Sequence, residues 1–397
     1  MVLARLGGAG SRWAGLVPFA WPASRRARAT RPDRATVRTI LVVLLCPLGD
    51  TLFATPALRA LRHRFPAAEI TALCWTANEP LLRHNPHLDR VVACPGGWEL
   101  AVSPLRMLDR RFDLGVGLSH FGSWVTPFFR ARMRVGFQDV ALRRGRLRGA
   151  ASGALTGGGP GQGEAAGRRG RELHAIEYCL AVVARVGARP HGLHMELVPG
   201  AGERRRAAEL LGGAGGGPLV AFHVGADHFP AKRWPPERFA RLADELARRH
   251  GARIVLVGGP GDVPLARRVR ELAREASFLD LTGRLALLET AAVLERVDVL
   301  VGNDSGPLHM AEAVGTPVVG LFGPSDPRHF APLDPRHRVL VGTCDRGRRC
   351  IRWLNGPLEY LQAAECRCQA METIPVPAVA AAVTSLLQER PGRRPRD

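Results

Sequence analysis

From residue 37 onward, short apolar runs rich in Val, Ile and Leu alternate with longer stretches whose apolar positions recur every three or four residues. A short continuous run fits a strand buried on both faces, and the periodic stretch fits a helix lying over it. Their alternation predicts parallel sheets with crossover helices, an α/β chain. In the first half, residues 39–45 predict a buried strand and a helix through residue 65, with further strands at 69–74, 90–93 and 114–118. Residues 141–170 are dominated by Arg and Gly and predict a mobile loop, after which a helix at 173–186 closes the first domain. Beyond a Gly-rich stretch at 212–217, strands are predicted at 219–224, 253–257, 278–281, 299–302 and 317–322. The helices between them fall at 236–249, 263–276, 288–295 and 307–314. Each strand runs into a loop of Gly, Pro, Asp or Ser, and open α/β sheets bind ligands at those carboxyl ends.

At 397 residues the chain exceeds one ordinary core and fits two domains of roughly 150 to 200 residues. We read residues 1–36 as a basic extension, 37–205 as the first domain, 206–372 as the second and 373–397 as a last helix and tail. The extension has seven Arg against one Asp, and Pro18 breaks its one apolar stretch. That is the composition of a disordered extension or an over-called start, with membrane-surface attachment as the alternative, and not of a signal peptide. Elsewhere, no apolar run reaches the roughly 18 to 20 residues that span a bilayer.

The net charge of +20 comes almost wholly from arginine, since Lys232 is the single lysine among 56 basic residues. No aromatic-interleaved basic segment, zinc-finger spacing or recognition helix accompanies the charge, which argues against a nucleic-acid partner. An anionic membrane surface or glycolipid is a better use for it, at roughly 1 kcal/mol per basic residue near acidic headgroups. A solvated Arg-rich face is the structural alternative. Eight cysteines in so long a chain make no disulfide scaffold. Cys46, Cys74, Cys94 and Cys179 lie in apolar surroundings and read as reduced packing residues, which points to the cytoplasm.

Four loops carry candidate chemistry. In Leu48-Gly49-Asp50-Thr51, Asp50 can cap the following helix or accept a proton from a substrate hydroxyl, and spacing does not choose between them. The loop from Val224 to Pro235 leads into a helix whose amino end is a ready anion site. Lys232 stands in it where composition favours Arg, which suggests that a compact, mobile ammonium is wanted there. Gly258-Gly259-Pro260-Gly261-Asp262 fits no phosphate-loop or dinucleotide motif, so Asp262 is either a helix cap or a hydrogen-bond partner for a ribose or base. The fourth, Gly302-Asn303-Asp304-Ser305-Gly306-Pro307-Leu308-His309, combines capping residues, a glycine allowing close backbone approach, a first-turn proline and a histidine donor. It reads as a phosphate site, with a plain capped turn as the alternative. In the tail, Cys344, Cys350, Cys366 and Cys368 are spaced C-x5-C-x15-C-x-C. They can hold a structural metal, remain free or pair, and their spacing is not that of the common zinc sites.

Together these loops resemble the ADP-heptose:lipopolysaccharide heptosyltransferase family, glycosyltransferase family 9, over about residues 37–385. The carriers are G-D-T-L-F-A-T-P-A-L-R-A-L-R (Gly49 to Arg62), H-V-G with K-R-W-P (His223 to Pro235), L-T-G (Leu281 to Gly283), and the long segment from Val301 to Pro327. The resemblance implies a GT-B fold: two Rossmann-like domains facing across a cleft, the donor nucleotide on the second, and a final helix crossing back. It implies an inverting transfer from ADP-L-glycero-D-manno-heptose to an inner-core sugar of lipopolysaccharide, with no catalytic metal or cofactor. By motif position Asp50 is the general base, while Lys232, Asp304, Ser305, Gly306 and His309 hold the donor phosphates. Asp262 falls near the nucleoside. The extension and the loop at 141–170 depart from the family pattern in the half that would recognise the acceptor. Three alternatives keep the sugar nucleotide: a family member with another donor or acceptor, a nucleotide-sugar epimerase of similar architecture, and a binding module without catalysis.

Overall fold

A computed structural model describes residues 32–95, 110–140, 142–143, 146–147, 173–212, 216–226, 229–344 and 366–389. Nearly all of the expected extension, most of the loop at 141–170 and Cys350 lie outside these residues. The chain divides into two compact units, Met1–Leu193 and His194–Asp397.

The first unit is built on strands β1 (Thr39–Leu44), β2 (Glu69–Trp75), β3 (Arg90–Cys94), β4 (Phe112–Gly117) and β5 (Ala131–Val135). They form one parallel sheet in the order β3-β2-β1-β4-β5. Its helices are α1 (Leu48–Phe53), α2 (Thr55–Arg64), α3 (Glu79–Leu82), α4 (His120–Val125) and α5 (Ala175–Ala184). Strand β1 is apolar throughout and buried from Ile40 to Leu44, as a central strand covered on both faces must be. β5 escapes the apolar-run criterion because Arg132 and Arg134 alternate with its inward residues at the sheet edge. A short antiparallel hairpin pairs β6 (Leu142–Arg143) with β7 (Arg146–Leu147). Helix α5 packs on α2 and is capped by His174, whose side chain accepts the Ile176 N–H at 3.2 Å. The four thiols expected to pack do so: Cys46, Cys74, Cys94 and Cys179 are buried. Burial, with Glu79 next in effect, pushes the Cys74 thiol up to about 12, so it stays protonated.

In the second unit, strands β8 (Leu219–His223), β9 (Arg253–Val257), β10 (Phe278–Asp280), β11 (Val299–Asn303), β12 (Val318–Phe322) and β13 (Arg338–Val341) form a parallel sheet ordered β10-β9-β8-β11-β12-β13. Counted within the unit this is 3-2-1-4-5-6, the doubly wound nucleotide-binding order. The helices are α6 (Ala201–Leu211), α7 (Pro236–His250), α8 (Val263–Leu272), α9 (Leu287–Arg296), α10 (Gly306–Ala313), α11 (Pro327–Phe330) and α12 (Val376–Gln388). The expected domain boundary at 205 falls inside α6, which packs against α9 and so belongs with the second unit. The segment expected to return to the first half packs here as well. Val379, Ala380, Val383 and Leu386 of α12 join the core formed by α7 and the sheet. Just before α12, the Ile374 carbonyl accepts the Trp234 indole N–H at 3.0 Å and an Arg238 N–H at 2.5 Å.

In each sheet the strand order reverses beside its first strand, between β1 and β4 and between β8 and β11. The loops leaving those strands flank a crevice at the carboxyl edge, where such sheets take ligands.

Candidate functional site

In the first unit that position belongs to the loop from Cys46 to Thr51. Asp50 does not cap its helix: α1 starts at Leu48 with Pro47 at the cap position, which puts Asp50 in the first turn. A carboxylate there is still favoured by the helix dipole. Asp50 is half-buried, and its charge adds to the burial that raises the Cys46 and Cys179 thiols. The loop is pinned from below by Asn78, whose side-chain N–H groups reach Cys46 O at 2.7 Å and Thr51 Oγ1 at 2.9 Å. Ser119, in the loop after β4, donates to Leu45 O at 3.2 Å and ties the two switch-point loops together.

The second unit answers with a connected set of ionisable groups. Lys232 Nζ donates to Asp304 Oδ2 at 2.7 Å and to the Asp304 carbonyl at 3.3 Å, and lies over the rings of Phe229 and Phe330 at 5.2 and 6.0 Å. His309 Nε2 is 3.4 Å from Asp304 Oδ1, while its Nδ1 faces Glu312 Oε2 at 3.7 Å. Lys232 and Asp304 side chains are 14% and 5% exposed, so the pair is largely out of water and only weakly screened. Burial alone would raise the Asp304 carboxyl, but Lys232 and His309 outweigh it and hold it well below the usual carboxylate range. For His309 burial works against the charge, yet Asp304 and Glu312 lift it to about 9, keeping an imidazolium at neutral pH.

Asn303, fully buried at the end of β11, fixes the Lys232 loop to this strand. Its side-chain Oδ1 accepts the Trp234 backbone N–H at 3.0 Å and its side-chain Nδ2 donates to Val224 O and Gly225 O at 3.2 and 3.0 Å. Gly306 opens α10 and Pro307 takes its second position, where a missing N–H costs nothing. An ammonium has three donors, and among the described residues Lys232 engages two. The arrangement therefore presents a cation beside a helix amino end, a site for an anion.

The sequence-derived residues of this half converge, though not all in the roles expected. Asp304 places its carboxylate between two cations, Lys232 and His309. Asp262 stands at the cap position of α8 but makes no side-chain cap there. Its Oδ2 accepts the Gly259 N–H at 3.0 Å and lies 3.4 Å from His223 Nε2. The carboxylate is thus turned inward, and His223 and Gly259 hold it below its ordinary range against the effect of burial. His223, only 3% exposed, is the residue the sequence reading passed over. Its Nδ1 lies 2.9 Å from Ser305 Oγ, so Asp262, His223 and Ser305 form one line. The signal available was a polar residue ending an apolar strand and followed by Val-Gly.

Of the tail cysteines, Cys344 and Cys368 bring their sulfurs to 3.5 Å, and the Cys368 N–H approaches Cys366 Sγ at 3.4 Å. Among the described residues no group of three or more side chains forms a metal-ligand set. No helix among them is long and apolar enough to cross a membrane.

Residues 169–350 match the model of glycosyltransferase family 9 (heptosyltransferase). That span holds Lys232, Asp262, Asp304, Ser305, Gly306, His309 and also His223, while Asp50 precedes it. The chain is 28% identical over 312 residues, 76% of its own length and 87% of the relative's, to lipopolysaccharide heptosyltransferase 2 of Escherichia coli. Its fold is similar to that of a family 9 glycosyltransferase from Veillonella parvula, with a TM-score of 0.70 at 23% identity, covering 91% of this chain and 99% of the other. It is also similar to the ADP-heptose lipopolysaccharide heptosyltransferase II of E. coli, with a TM-score of 0.65 at 22% identity over 88% and 99% of the two chains. These likenesses show the GT-B architecture of two doubly wound domains.

Proposed function

We propose that this chain, whose residues 169–350 match the model of glycosyltransferase family 9, is a member of that family and moves a heptosyl group from ADP-L-glycero-D-manno-heptose to an inner-core sugar of lipopolysaccharide, with inversion. In this reaction the acceptor oxygen attacks the anomeric carbon from the face opposite the departing ADP. The bond to the phosphate oxygen breaks, and the acceptor proton passes to the Asp50 carboxylate as general base. Negative charge then grows on the leaving diphosphate. Lys232, the imidazolium of His309 and the amino end of α10 stabilise it, and being preorganised they need not reorient as the charge develops. This supplies the electrostatic help that a divalent cation gives elsewhere, so the transfer proceeds without metal or cofactor.

The observation that carries this reading is the buried Lys232–Asp304–His309 cluster at the second switch point, within the span matched by the family model. The acceptor sugar is carried on a lipid. A chain of net charge +20 suits work in the cytoplasm at the anionic inner face of the cell membrane. The test is to incubate the purified protein with ADP-heptose and a heptose-deficient lipopolysaccharide and to weigh the product. A mass gain of one heptosyl residue is expected, with titration calorimetry showing preference for the adenosine sugar. Preference for a uridine or guanosine sugar would overturn the donor assignment, and turnover of the donor unaffected by Asp50→Ala would remove the general base.

A further inference from the structure

We propose that His223 and Asp262 are positioning residues that keep the amino end of α10 uncapped, by holding the Ser305 hydroxyl away from its own helix. The inference rests on the donor reading above, in which a diphosphate occupies that helix end.

A serine at the N-cap position ordinarily turns its oxygen toward the amides of the first turn. This chain does so at α4: Ser119, with φ −146° and ψ 164°, accepts the Gly122 N–H at 2.8 Å. Ser305 holds nearly the same backbone conformation, φ −162° and ψ 174°, yet makes no capping bond. Its hydroxyl instead lies 2.9 Å from His223 Nδ1 and 3.3 Å from the Asn303 carbonyl. The difference between the two serines is the buried histidine behind the second.

That histidine is itself aimed. Asp262 Oδ2, 3.4 Å from Nε2, favours the tautomer that carries its proton on Nε2. Nδ1 is then an acceptor, and the one Ser305 hydroxyl proton is shared between it at 2.9 Å and the Asn303 carbonyl at 3.3 Å. The fold reserves room for the carboxylate, because a Cβ at Gly225 would stand 1.9 Å from Asp262 Oδ1, and one at Gly258 2.6 Å from Oδ2. Both glycines close the strands that bear His223 and the Asp262 turn, so backbone spacing and side-chain pairing agree. With the hydroxyl withdrawn, the first-turn donors of α10 receive no acceptor from the cap residue. Their partial positive charge stays open to an external anion.

The test is a double-mutant cycle read by calorimetry with ADP, and in parallel with inorganic pyrophosphate. His223→Leu fills similar space but releases Ser305 to cap α10, and it should weaken ADP binding by about tenfold, the scale of one capping interaction. Adding Ser305→Ala to it removes the intruding oxygen and should recover most of that loss. A purely structural role for His223 predicts no such recovery, so a double variant binding no more tightly than His223→Leu overturns the proposal, as does unchanged affinity in His223→Leu itself. Should His223→Leu melt below the assay temperature, Asp262→Ala with and without Ser305→Ala repeats the cycle. If the wild-type chain binds pyrophosphate but not ADP, the nucleotide assignment fails and the pyrophosphate cycle still decides. A chain that binds neither has no anion at this helix, and the proposal falls with the donor reading.

Discussion

The two sheets reverse at matching points, but what they set there differs. At the first, a single half-buried aspartate stands in a helix turn above packed thiols and neutral hydrogen bonds from Asn78 and Ser119. At the second, Lys232, Asp304, His309 and Glu312 lock one another in place, and a separate line runs from Asp262 through His223 to Ser305. On the proposed reading, one architecture serves a group that accepts a proton and groups that hold charge still. A base works through one oriented oxygen, whereas stabilising a growing dianion takes several fixed donors.

The contrast breaks most sharply at Asp50. Removing a general base costs about 10²- to 10⁴-fold in rate. Asp50→Ala should therefore abolish measurable transfer in single-turnover assays, while ADP affinity by calorimetry stays within a few-fold. Loss of both together would mean that the two switch points are not divided in this way. Lys232→Arg is the next largest effect. A guanidinium keeps the charge but is too broad for the space between Asp304 and the rings of Phe229 and Phe330. We expect ADP binding weaker by about tenfold, one misplaced charge-assisted hydrogen bond, and wild-type affinity in that variant would show that charge alone suffices.

The smallest effect is one of pH. His309 is held up to about 9, above the ordinary histidine range near 6.5. Its charge is therefore complete below the unfolded value and is lost as pH rises through about 9, and with it the attraction for phosphate. Between pH 8 and 10, ADP affinity should fall by about threefold more in the wild type than in His309→Gln, an effect of the size of one screened charge. Equal pH profiles for the two proteins would take His309 out of the binding site.

The centre of each sheet was legible because β1, β8 and β11 are continuous apolar runs, which little else in a globular chain produces. The edges were not. β13 is half-exposed along its length and β5 carries outward arginines, so neither shows such a run. Lys232, Asp304, Ser305 and His309 could be found because strand ends were searched for polar residues. Which of them pair could not, since Lys232 and Asp304 meet across 72 positions. His223 was hidden inside the strand it terminates. For Asp50 the sequence left cap and proton acceptor open, and with Pro47 at the cap position Asp50 falls in the first turn.

The Ile374 carbonyl receives both Trp234 and Arg238, two and six residues beyond Lys232. The loop bearing Lys232 is thus fastened by a segment translated after every strand of the second sheet. During synthesis the second sheet can lie complete from β8 to β13 while its cationic pocket still lacks that anchor. A chain truncated before Ile374 would accordingly keep the strands of the sheet while the Lys232 loop lacks this anchor.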